Sequence, residues 1–236
     1  MDPAAIAPHQ VQRCRVVLLD VDNTLYHPDT GLLAHVDTHI TRYVAAVLGQ
    51  PEDEANRTRV AYTREFGTTL GGLIARDGVD PSDYHRAIYD LDVRDHVTTR
   101  PALKAMLARL RVPAAVLTNA DRHYARRVLD ALGIRDQIWH VIDIESAGYR
   151  GKPRLGFYVA AAQALGLRPD ECLLVEDTPR NIAAARALGM PAVYARWGRK
   201  QSSTDLPGPA VDDIIELESV VPDLFGPAPG DNEAIA

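Results

Sequence analysis

Short apolar runs, each ending in a polar or acidic residue, recur along this chain with longer stretches of helical periodicity between them. Residues 15–20 (RVVLLD), 114–118 (AAVLT), 141–144 (VIDI), 172–176 (CLLVE) and 192–195 (AVYA) read as strands, with a short sixth near 213–215. Runs this uniformly apolar suit strands covered on both faces, which predicts a parallel sheet with helices on each side. The intervening stretches carry helix end signals. Asp121 can cap a helix whose inner face is Tyr124, Val128, Leu129 and Leu132, with Gly133 as its stop. Thr178 and Pro179 open another helix at the cap and first-turn positions, and Gly189 closes it. Cys172, inside an apolar run, reads as a small buried hydrophobe. Strand–helix repetition of this kind predicts an α/β fold built on a doubly wound parallel sheet.

Residues 28–97 break that rhythm. They carry no strand pattern, and their periodicity predicts helices over 33–48, 52–66, 69–76 and 82–91, the first three followed by Gly49, Gly67 and Gly78. The expected organisation is an α/β core of residues 12–27 and 98–225, with a helical cap of residues 28–97 inserted after the first strand. The tail, 226–236, is rich in Pro and Gly and is expected to be disordered.

Composition changes this picture only by exclusion. The chain has 236 residues, of which 46% are hydrophobic, enough for one sizeable core with an insertion. Its formal net charge is −6 with no basic run, which argues against a nucleic-acid polymer as partner. A small anionic ligand needs only a few local cations and stays open. No apolar run is long enough for a membrane span, the N-terminal residues do not resemble a signal peptide, and two cysteines are too few for a disulfide framework. A cytoplasmic location with no membrane partner is the expectation.

Four strand ends carry candidate chemistry. In VVLLDVDNTLY (16–26), Asp20 closes a strand and Asp22 follows on the turn. Carboxylates this close repel unless a shared proton or a hard cation such as Mg²⁺ compensates; alone, the motif also fits a solvated Asp-rich turn. Thr118 and Asn119 offer a hydroxyl and an amide at a second strand end. Lys152, between Gly151 and Pro153, sits on a constrained backbone ahead of a helix beginning near Arg154, and can neutralise a phosphate or the acidic cluster. Glu176 and Asp177 close another strand, with Asn181 in the first helical turn beyond it; acidic residues there also complement a helix dipole. A parallel sheet would bring all four to one crevice. Together they supply what phosphoryl transfer needs: a nucleophile, a proton donor and positive charge.

The order DVDNT, LTN, lysine, VEDTPRN resembles the haloacid dehalogenase (HAD) superfamily over about residues 15–225. The resemblance implies a HAD-like Rossmannoid core with a helical type-1 cap and an Mg²⁺-dependent phosphatase. Asp20 would be the nucleophile, Asp22 the general acid and base, and Thr118 and the Asn119 amide the phosphate ligands. Lys152 would compensate charge, Asp20, Asp177 and the Asp22 carbonyl would hold Mg²⁺, and Glu176 and Asn181 would support them from behind. Metal-free dehalogenases of the superfamily lack the second aspartate, so Asp22 argues against carbon–halogen cleavage; a phosphate-shuttling mutase stays open.

Three segments resemble the pyrimidine 5′-nucleotidase branch: 22–32 (DNTLYHPDTGL), 65–81 (EFGTTLGGLIARDGVDP) and 144–153 (IESAGYRGKP) followed by VEDTPRNIAAARALGM. The implied substrate is a pyrimidine nucleoside monophosphate, with Gly67, Thr68 and Thr69 as cap contacts or simply as a helix start. Arg154 departs from that branch, which carries Asp there. The alternatives are a phosphatase for sugar phosphates or other small phosphometabolites, and a non-catalytic binding protein on the same core.

Overall fold

The computed structural model describes residues 6–199 and 208–227. Six parallel strands form its sheet: β1 (Val16–Leu19), β2 (Ala114–Leu117), β3 (Ile138–Ile142), β4 (Cys172–Glu176), β5 (Ala192–Ala195) and β6 (Ala210–Val211). Their order is β3-β2-β1-β4-β5-β6. The chain moves from β1 out to β3, then returns to the other side of β1 for β4. Beside β1 the winding reverses direction, and open α/β sheets hold their ligands at the carboxyl end of such a point.

Period-two alternation covers both faces of the sheet. Val17, Leu19, Val116, Leu173 and Val175 point into one apolar cluster. Val16, Leu18, Ala115, Leu174 and Tyr194 point into the other. All four residues of β1 are fully buried. This is why the sequence shows unbroken apolar runs where strands with one wet face would alternate.

The helices, in chain order, are α1 (Pro8–Arg13), α2 (Leu32–Leu48), α3 (Glu52–Phe66), α4 (Thr69–Asp77), α5 (Pro81–Ile88), α6 (Pro101–Ala108), α7 (Arg122–Leu132), α8 (Leu155–Ala164), α9 (Pro179–Ala187) and α10 (Leu217–Val220). The end signals act as read. The Asp121 carboxylate accepts the Tyr124 N–H at 2.8 Å to start α7, and Gly133 ends it with φ of 72°. Helices α2 to α5 occupy residues 32–88, where no strand occurs. No described helix is long and apolar enough to cross a membrane.

Three boundary expectations are corrected. The sixth strand lies at Ala210–Val211, not near 213–215, because the Asp213 side chain accepts the Ile215 N–H and turns 214–216 into a 3-10 helix. The third strand begins at Ile138 and ends at Ile142, where 141–144 was expected. It is an edge strand, and its exposed Trp139 and His140 break the apolar signature. Helix α5 stops at Ile88 instead of reaching residue 91, since Asp92 accepts the Arg94 N–H and opens a separate turn. The tail expectation lies largely outside the described residues; within them, the Gly226 N–H donates to the Arg109 carbonyl at 2.8 Å.

Candidate active site

The turn after β1 sets the geometry. Asp20 continues the strand, its N–H donating to the Val175 carbonyl at 3.0 Å. Asn23 then adopts a left-handed conformation, φ 57°, which Asn tolerates better than most residues. The Thr24 and Leu25 N–H groups both return to the Val21 carbonyl, at 3.2 and 3.0 Å. This compact turn lets Asp20 and Asp22 face one site although they alternate along the backbone. The Thr24 hydroxyl donates to Asp20 Oδ2 at 2.8 Å.

Lys152 is 1% exposed and lies among acceptors. Its Nζ donates to Asp20 Oδ1 at 2.6 Å, Glu176 Oε2 at 2.7 Å and the Leu117 carbonyl at 2.9 Å. Burial opposes its charge, but the Asp20 and Glu176 carboxylates outweigh burial and raise its pKa, so the ammonium persists. Burial, then the Glu176 charge, pushes the Asp20 pKa up to about 6. Asp22 is likewise raised to about 6, chiefly by burial, with a phenol of Tyr26 working against the rise. Asp177 is raised by burial and by Asp20.

The loop carrying Lys152 is clamped by a side chain from the second strand end. Asn119 Nδ2 donates to the Lys152 carbonyl at 2.9 Å, and the Lys152 N–H donates to Asn119 Oδ1 at 2.7 Å. The Asn119 side chain is thus committed to the protein. The Thr118 hydroxyl accepts the Ala120 N–H at 3.0 Å and keeps its own hydrogen to donate. The approach of the two loops admits only glycine at residue 151, where a Cβ would fall 2.2 Å from Asn119 Oδ1. Gly151→Ala is expected to displace the Lys152 loop, destabilising the fold by about 1–3 kcal/mol and lowering activity more than thermal stability. Melting curves and turnover, measured together, check this; an unperturbed variant would show that the clamp is not needed.

Among the described residues one carboxylate group has the spacing of a cation site: oxygens of Asp20, Glu176 and Asp177 lie within 4.8 Å of one another. Three hard oxygen donors suit Mg²⁺. Lys152 answers part of their charge, and Arg199 Nη1 lies 3.3 Å from Asp177 Oδ2. Asn181 Oδ1 is a buried acceptor with no hydrogen-bond partner among the described residues, the kind of orphan that a cation or its water shell satisfies. The residues fit the ion. The Asp22 side chain stands apart from this group.

These strand ends open into a cavity of about 280 Å³ that Asp20, Asp22, Thr118, Asn119, Lys152, Glu176 and Asp177 line from below. Gly67, Thr68 and Thr69 line it from the inserted helices. Thr68 also caps α4 by accepting the Gly71 N–H at 3.0 Å. Gly67 takes φ 91°, and a Cβ there would lie 3.6 Å from the carbonyls of Gly151 and Lys152. Among the described residues Arg154 reaches no carboxylate; its Nη2 donates to the Glu65 carbonyl at 2.8 Å, near the end of α3. Sequence reasoning missed Tyr26 and Tyr124, whose phenols reach Asp22, and Arg199. Tyr26 carried a signal, since it stands four residues beyond Asp22 in the same motif. Tyr124 read only as a core position of α7.

A family model described as haloacid dehalogenase-like hydrolase matches residues 14–189, and the chain belongs to that family. Phosphoglycolate phosphatase of Rhodospirillum rubrum is 29% identical over 203 residues, covering 78% of this chain and 80% of that protein. Validoxylamine A 7′-phosphate phosphatase of Streptomyces hygroscopicus subsp. limoneus is 29% identical over 184 residues, covering 75% and 83%. A HAD phosphatase structure from Thermococcus onnurineus shares the fold at a TM-score of 0.58 and 19% identity, covering 88% and 97%. The chain is thus an enzyme of the hydrolase class, and these relatives are phosphatases.

Proposed function

We propose that this protein hydrolyses small phosphomonoesters, sugar phosphates and phosphoglycolate-like metabolites foremost, through an aspartyl-phosphate on Asp20. The observation that carries the reading is the buried Lys152 ammonium bonded to Asp20 at the floor of a cavity lined by Asp22. Asp20 attacks phosphorus, and Asp22 donates a proton to the departing ester oxygen. Asp22 then takes a proton from the water that releases inorganic phosphate and restores the Asp20 carboxylate. A carboxyl with a pKa of about 6 is poised to give and take a proton near neutrality. Thr118 and the Asn119 N–H bind the phosphoryl oxygens while Lys152 balances their charge. Mg²⁺, held by Asp20, Asp177 and the Asp22 carbonyl, would neutralise charge on the transferring group. Residues 28–97 act as the cap that selects substrate. The free buried cysteines Cys14 and Cys172 suit a reducing, cytoplasmic setting.

The names of the relatives favour a small substrate over a pyrimidine nucleotide. Two relatives act, by name, on phosphoglycolate and a 7′-phosphate of validoxylamine A. Phosphate release from phosphoglycolate, sugar phosphates, UMP, CMP and AMP, with Mg²⁺ and with EDTA, tests this. The expected result is release from the small esters that EDTA abolishes. Release confined to UMP and CMP would restore the nucleotide reading, and release from nothing would favour a binding protein.

A further inference from the structure

Asp22 is held by one oxygen only. Tyr26 Oη donates to its Oδ1 at 2.5 Å, and Tyr124 Oη donates to the same atom at 2.8 Å. No side chain among the described residues donates to Oδ2. Both phenols are 1% exposed. A tyrosine phenol keeps its proton at neutral pH, so both act as donors to this oxygen. An oxygen that accepts two O–H groups is the carbonyl-like oxygen of a carboxylic acid, which leaves the proton on the other.

Tyr124 is itself backed from the inserted helices. Its ring stacks on Tyr89, which follows α5, with centroids 4.1 Å apart and planes 16° from parallel. Arg127, one turn along α7, donates to the carbonyls of Tyr89 and Leu91. The residues that follow α5 are therefore fixed on the helix that carries the phenol.

We propose that Tyr26 and Tyr124 are positioning residues that make Oδ2 the proton-carrying oxygen of Asp22, and that Tyr89 couples the placement of the cap to that choice. This rests on the phosphatase reading. When an Asp20 oxygen bonds to phosphorus, the ester P–O bond breaks and its electron pair stays on the ester oxygen. The Oδ2 proton moves to that oxygen, giving the alcohol, the aspartyl-phosphate and an Asp22 carboxylate. A misplaced Oδ2 therefore harms esters whose alkoxide needs the proton. It harms far less an ester such as p-nitrophenyl phosphate, whose phenolate departs without one.

The test is kcat/KM, which reports the steps up to ester cleavage, for phosphoglycolate and for p-nitrophenyl phosphate. If another alkyl phosphomonoester proves the best substrate, it replaces phosphoglycolate. General acid catalysis contributes about 10²–10⁴-fold, so Tyr124→Phe and Tyr26→Phe are each expected to lose about tenfold or more on the alkyl ester. On p-nitrophenyl phosphate the loss should stay within about threefold, since little of that acid contribution is used. Tyr89→Ala should show the same pattern more weakly, and Tyr89→Phe, which keeps the stacked ring, should restore it. Melting curves confirm that each variant is folded. Equal losses on both esters, or none on either, would overturn the proposal while leaving the phosphatase reading intact. Failure of the wild type on every ester would overturn that reading, and this proposal with it.

Discussion

Asp20→Asn is expected to lose at least about 10⁴-fold in phosphate release, the scale seen when a covalent nucleophile is removed. The amide oxygen can still accept from Lys152 Nζ, which lies 2.6 Å from Asp20 Oδ1, and Thr24 can rotate its hydroxyl to accept from the new NH₂. The fold should therefore survive, with a melting temperature close to that of the wild type. The variant also removes one oxygen ligand from the carboxylate group that fits Mg²⁺. Steady-state phosphate release with an acid quench for the covalent intermediate separates the outcomes. A variant that retains even a few per cent of turnover would assign the nucleophile elsewhere.

Lys152→Met should act on stability as strongly as Asp20→Asn acts on chemistry. Removing one partner of a buried ion pair costs about 3–5 kcal/mol because the other charge is left uncompensated. Here two carboxylates, Asp20 and Glu176, lose the same cation. At about 2–4 °C per kcal/mol for a chain of this size, the melting temperature should fall by roughly 6–20 °C. The loss should depend on pH. Asp20 already titrates near 6 in the folded protein against an ordinary 3.8, and without the ammonium its folded pKa rises further. The folded state then binds protons that the unfolded state has released, so stability declines as pH climbs from about 4 to beyond 6. Urea melts at pH 5 and pH 7.5 should show a smaller deficit at the lower pH. A deficit that does not change with pH, or one below about 1 kcal/mol, would mean that Lys152 is not the counter-charge it resembles.

How much of this could be read beforehand depended on burial. Strands β1, β2, β4 and β5 were legible because both faces are dry, which forces apolar residues at every position except the last of β4, the site residue Glu176. Strand β3 was misplaced because it is an edge, where Trp139 and His140 are free to be exposed. The ends of α7 and α9 were legible because local rules act there: a carboxylate cap at Asp121, a proline at Pro179. The site was legible only as a set of strand ends. That Asp20, Lys152 and Glu176 share hydrogen bonds follows from the order of the strands, and residues 132 and 24 positions from Lys152 carry no local trace of it. The commitment of the Asn119 side chain to the Lys152 loop, and the two phenols on Asp22, are tertiary facts of the same kind. The choice of substrate was least legible, because cavity size comes from helix packing and not from any motif.

The central place of β1 also bears on how the protein is made. Its neighbours are β2, which begins at Ala114, and β4, which begins at Cys172, while β1 itself ends at Leu19. At about 5–20 residues per second, synthesis leaves Val16–Leu19 without its β4 partner for roughly 8–30 s. During that interval four consecutive apolar residues, fully buried in the finished sheet, have one edge with no strand to pair with, even after β2 has emerged on the other. Nascent chains should accordingly be most prone to aggregation, and most responsive to chaperones, after the inserted helices have emerged and before β4 does.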